Sequence, residues 1–173
     1  MSTTASTISD EDWGRFDRRA ANVLLLLSVI LFLLGLVVLG GTANATIDPP
    51  WIEAMFGRST VLVAVLIAVI LNVGILYALS AGLNRGAGWA RPAAVSVLVV
   101  MTVTGLLQVA VDLLFNSRLT IPIGALLAMW ALSLRPGWPA WPGGRDGMIA
   151  AALTVAVAAV SLPGVLPWGF LGG

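Results

Sequence analysis

The chain has 173 residues, 59% of them hydrophobic and only 10% charged, with a net charge of +1 and a mean hydropathy of +1.00. Soluble domains carry about a quarter charged residues, so this composition excludes an ordinary soluble domain and fits several membrane spans joined by short loops. It contains no Cys, His or Lys, which excludes disulfides and thiolate sites, the commonest haem ligand, metal ligand and general base, and a lysine Schiff base; no cofactor is expected.

Taken in chain order, Met1 to Ile8 are small and polar and read as an unstructured lead. Ser9, Asp10, Glu11 and Asp12 then form a capping-box pattern, with the acids where a helix dipole favours them. Arg15, Arg18 and Arg19 close the segment, and Trp13 and Phe16 share a face. We read residues 1–19 as a cytoplasmic tail ending in a short interfacial helix, either separate from the first span or continuous with it. Residues 20–173 read as a single transmembrane domain.

The first span is expected at 20–40, stopped by Gly40-Gly41. A cleaved signal peptide is the rival reading, because Ala43-Asn44-Ala45 resembles a cleavage site. The apolar region from Val23 to Leu39 has 17 residues, longer than a signal core usually is, and favours an uncleaved anchor. Residues 41–59 form the longest loop. There Asp48-Pro49-Pro50 starts a short helix and Gly57 ends it, with Trp51, Ile52, Met55 and Phe56 making an apolar lid at the interface. The second span, 60–83, is capped by Ser59. It carries Ala64, Ala68, Gly74, Ala78 and Gly82 on one broad face with Asn72, the pattern of close helix approach.

The third span, 93–116, opens on Pro92 and carries the clearest polar feature of the chain. Thr104, Gln108, Asp112 and Asn116 recur every four residues and so form one stripe on a helix. Asp112 is an ionisable group in an apolar run, which makes it a functional candidate that needs a partner. Arg58 and Arg118 are the cations expected nearby. Folding the second and third spans into a hairpin about Gly88 sets Asn72 level with Thr104. A hydrogen bond from Asn72 to Thr104 or Gln108 is therefore expected, as packing glue or as the lining of a small polar site. Asp112 and Asn116 would stand at the outer rim, near the lid.

The fourth segment, 119–135, is short for a span. The run from Arg135 to Arg145, rich in Pro, Gly and Trp, is a loop, and the fifth segment, 147–169, meets Pro163 and Pro167. With five spans, Arg15, Arg18, Arg19, Arg85, Arg91, Arg135 and Arg145 share one side, and only Arg58 and Arg118 the other. That bias places the N-terminus in the cytoplasm and the C-terminus outside a cell membrane.

Between two of these spans, Gly86-Ala87-Gly88-Trp89-Ala90-Arg91 resembles the Gly-x-x-Trp-Ala-Arg turn of small uncharacterised bacterial polytopic membrane proteins, where it joins two helices of a four-span unit. The resemblance covers Leu83 to Leu134 and implies a helical membrane fold; it carries no activity and no site residue. A fifth segment departs from that pattern.

The sequence thus predicts an all-α integral membrane bundle of five transmembrane helices, or four plus one short re-entrant segment. The function it favours is a non-enzymatic accessory, assembly or scaffold subunit acting through helix packing. A binder or transporter of a small solute or lipid, with its polar site between spans two and three, is the alternative. The expected partners are the lipid bilayer and a membrane-protein partner or a second copy; the arginines are too scattered for nucleic acid. No nucleophile–base pair or metal-ligand set is present, so an enzyme ranks last and no catalytic residue is assigned. The candidate site residues are Asn72, Thr104, Gln108, Asp112 and Asn116, with Arg58 and Arg118 as candidate ion-pair partners.

Overall fold

A computed structural model describes residues 10–44, 57–115 and 121–161. Over these residues the protein is all helical: α1 Asp10–Asn44, α2 Arg58–Asn84, α3 Ala90–Phe115, α4 Ile123–Ser133 and α5 Gly144–Ser161. Four of the five are long and apolar enough to cross a membrane; α4 is not. This is a multi-pass helical membrane bundle.

α1 is one continuous helix of 35 residues, so the interfacial segment and the first span are parts of a single rod. The reason lies in its buried stripe. Phe16, Ala20, Leu24 and Leu27 follow one another at helical spacing and are all at most 1% exposed, so the apolar face passes through Arg18 and Arg19 without a break. Gly40 and Gly41 do not stop the helix, which continues to Asn44; an interior glycine weakens a helix without ending it.

α2 starts at Arg58 behind its cap residue, Gly57, whose φ is 75°. Ser59, expected as the cap, lies inside the helix, one residue after Arg58. The lid itself, Trp51 to Phe56, falls outside the described residues. At its other end α2 closes in a Schellman motif. Ala87 N–H donates to Gly82 O at 3.0 Å and Gly86 N–H to Leu83 O at 3.1 Å, with Gly86 at φ 66°, a conformation that favours glycine. The chain then turns directly into α3.

α4 is shorter than the fourth segment expected at 119–135. Pro122 caps the helix with φ −82° and ψ 69° instead of joining its first turn, and the helix stops at Ser133, two residues before the Arg135-Pro136 pair that cannot continue it. Its 11 residues rise about 16 Å against a hydrocarbon core of about 30 Å. α4 starts against the middle of α3, where a methyl added to Gly105 would lie 2.5 Å from Ala125 Cβ. It ends near the start of α1, since Trp138 and Pro139, just beyond it, line one pocket with Trp13 and Asp17. Asp146, at the start of α5, lies against Gly88 of the α2–α3 turn. The seven arginines assigned to one side therefore gather at one end of the bundle, called here the basic end; α2 begins with Arg58 at the other.

The core is concentrated toward that basic end. Leu24 and Leu27 of α1, Leu76 and Leu79 of α2, and Val97 and Leu98 of α3 are at most 1% exposed, and Ala128, Ala131 and Ala150 of α4 and α5 join the same cluster. Farther along, α1 packs mainly along α2, and α3 along α4 and α5. α2 and α3, although joined by a tight turn, share much less surface, chiefly where Gly82 lies under Trp89 and Ala90.

Candidate functional site

The separation of α2 from α3 leaves an open cleft of about 380 Å³ beside the middle of α3. Asn72 of α2 and Thr104 and Gln108 of α3 line it, with Leu31 of α1, Gly105 of α3 and Val157 of α5. The hairpin register is as the sequence implies: Asn72 and Thr104 meet the same cavity. The expected cross-helix bond does not form. Asn72 Nδ2 donates to Ala68 O at 3.2 Å, within α2. Thr104 Oγ1 donates to Val100 O at 2.8 Å, within α3. Gln108 Nε2 donates to Asp112 Oδ1 at 3.0 Å, one turn farther along the same helix. Equal depth brings side chains level but does not bring them into reach, and here the two helices have already parted.

The consequences for hydrogen bonding are specific. A threonine hydroxyl that turns back on its own helix is satisfied as a donor without any partner helix. A primary amide has two N–H donors and one carbonyl oxygen. Asn72 and Gln108 each place one N–H in the bonds above, which leaves an N–H and a carbonyl oxygen on each for a further partner. In hydrocarbon such groups are costly unless something bonds them.

Asp112 accepts from Gln108, which is one of its contacts. Asn116 and Arg118 lie outside the described residues, and Arg58 is placed only as the first residue of α2. The outer-rim half of the expected site therefore rests on Asp112 alone. Among the described residues no group of three or more acidic, His or Cys side chains is placed to hold a metal ion.

A second polar centre, at the basic end, is not marked in the sequence. Asp17 of α1 accepts two-pronged bonds from Arg91 of α3, Nη2 to Oδ2 at 2.6 Å and Nε to Oδ1 at 3.1 Å. The Asp17 side chain is only 14% exposed. Arg91 also lies over the Trp13 ring, 4.8 Å from its centroid, and Trp13 meets Phe16 edge to face at 5.7 Å. One acid enclosed by Arg15, Arg18 and Arg19 looks like part of a solvated charge run. The signal that separates it is its place one residue after the buried Phe16, with Arg91 at the matching depth of α3. No family model, curated protein or solved structure matches this chain.

Proposed function

We propose that this multi-pass membrane protein binds a small hydrogen-bonding amphiphile, a lipid or solute, in the cleft between α2 and α3. One observation carries the reading. The cleft has the volume of a small-molecule site, and its lining is apolar with a few polar groups, among them Asn72, Thr104 and Gln108. An occupant with a hydroxyl or carbonyl group would satisfy the amide donors and acceptors that the helices leave over, while its apolar part lies against Leu31 and Val157. The role proposed for the cleft is holding or passing the molecule.

The test is native mass spectrometry of the protein purified in mild detergent. It is expected to carry one small adduct, and Asn72→Leu with Gln108→Leu is expected to remove that adduct without loss of folded protein. Adduct retained by the double variant would sink the reading.

An accessory subunit acting through helix packing is the second reading, favoured by the outer face of α2. Gly74 has open space above it and Ala78 is exposed, a small-residue pair at the spacing used by associating membrane helices. A stoichiometric protein partner that co-purifies in place of a small adduct would decide for it. In either case, the gathering of seven arginines at one end supports a cytoplasmic basic end. α1 then starts inside and α5 runs outward, and a reporter fused after Gly173 should read outside.

A further inference from the structure

The depth of the cleft between α2 and α3, and the surfaces beside it, narrow what can enter. Asn72 lies near the middle of the 27 residues of α2, and Thr104 near the middle of the 26 residues of α3. At about 1.5 Å of rise per residue, each is roughly 16–21 Å from either end of its helix, close to the centre of the hydrocarbon core. Gln108 stands one turn farther from the basic end. Leu71 and Leu107, next to Asn72 and Gln108 in the chain, are 48% and 46% exposed. The cleft therefore opens between two spanning helices at the level of the acyl chains rather than of water. Its described lining contains no Asp, Glu or Arg. Asp112, the one acid of α3, lies a turn beyond Gln108 and is already engaged.

We propose that the occupant of this cleft is an uncharged membrane lipid that enters sideways from the bilayer and carries a hydroxyl close to a carbonyl, as a diacylglycerol does. This rests on the cleft being a binding site and adds the class of its ligand. The absence of charge follows from depth. An ionised headgroup carried to the middle of the bilayer loses its water and meets no opposite charge in the described lining. The paired hydroxyl and carbonyl follow from the amides. Asn72 and Gln108 each keep an N–H and a carbonyl oxygen after their bonds within the helix, so a partner that both donates and accepts satisfies them. A ligand with carbonyls alone would leave both amide oxygens unpaired in hydrocarbon. Leu31, Met101 and Val157 supply an apolar wall for the first part of a chain, whose remainder stays in the bilayer.

The experiment titrates the intact chain in mild detergent with dioctanoylglycerol, with dioctanoyl phosphatidic acid and with the trimethylammonium lipid of the same chains. Retained lipid is counted by native mass spectrometry. Dioctanoylglycerol is expected to be held at least about tenfold more tightly than either charged lipid. Asn72→Leu with Gln108→Leu is expected to abolish its retention at an unchanged melting temperature. Asn72→Ala and Gln108→Ala, each alone, are expected to weaken it several-fold, and they carry the test if the double variant does not fold. Equal retention of the three lipids, lost in the variants, overturns the uncharged class while the cleft stands as a binding site. Displacement of the lipid by glycerol at matched concentration assigns the cleft to a water-borne solute and overturns the membrane source. Retention of dioctanoylglycerol that none of the variants reduces overturns the cleft as a binding site, and this inference with it.

Discussion

The two ends of this bundle are built from the same residue types and behave differently. Near the basic end every helix contributes to one core; beyond it the helices run as two groups, α1 with α2 and α3 with α4 and α5, and the cleft lies between them. Hydrophobicity does not account for the difference, since the second half of α2, which joins the shared core, and its first half, which packs mainly on α1, are both apolar. In lipid, a leucine gains little by leaving the bilayer for another leucine, so close packing and polar bonds decide where helices meet. The basic end has both. Gly82 lets Trp89 and Ala90 come close, and Asp17 holds Arg91 across from α1 to α3. In the far half the tightest glycine contacts among the described residues are within a group. Gly35 admits Val69 and Gly105 admits Ala125, while nothing comparable joins α2 to α3.

The largest expected effect comes from filling the space at Gly82. A Cβ there would lie 2.7 Å from the Trp89 ring and 3.0 Å from Ala90 Cβ. Gly82→Leu should therefore separate α2 from α3 at the one place where they pack closely, lowering stability by about 1–3 kcal/mol. Thermal unfolding in detergent, followed by tryptophan fluorescence, measures it. An unchanged melting temperature would mean that the hairpin is not held there.

The Asp17–Arg91 pair should come next. Arg91 is 39% exposed, so water screens part of the attraction, and a double-mutant cycle with Asp17→Asn and Arg91→Gln should give a coupling of about 1–2 kcal/mol. Coupling near zero would leave apolar packing alone to hold the two groups together. The cycle also sharpens the comparison, because the polar bonds of Asn72 and Thr104 in the far half are all within one helix and should show no such coupling between α2 and α3.

Much of this architecture can be read from the sequence, and what cannot has identifiable causes. The helical membrane class follows from composition, and the α2–α3 turn from its glycines. The shared depth of Asn72 and Thr104 follows from counting residues about that turn. Crossing a membrane turned on α4, where two prolines shorten a helix that hydropathy alone would extend. The bond between Asn72 and α3 failed to appear because residue counting gives depth along a helix and says nothing of the distance between two helices. Asp17 was hidden for the opposite reason. Its neighbours in sequence are charged and solvated, while its partner stands on a helix that only the folded chain brings near.

The smallest expected effect is at Gly74, eight residues from Gly82 on the same helix. Nothing lies within 4 Å of a Cβ added there, so Gly74→Leu should change the stability of the folded chain by no more than about 0.5 kcal/mol, as for surface substitutions that touch no special feature. Because the two glycines share one helix and one composition, the contrast between them isolates packing from propensity. The same variant also separates the two functional readings. If the outer face of α2 meets only lipid, cross-linking in native membranes should give the same oligomeric state with and without the leucine. A dimer or hetero-complex lost at unchanged melting temperature would place a partner on Gly74 and Ala78. The open half of the bundle would then be the surface at which this protein meets another.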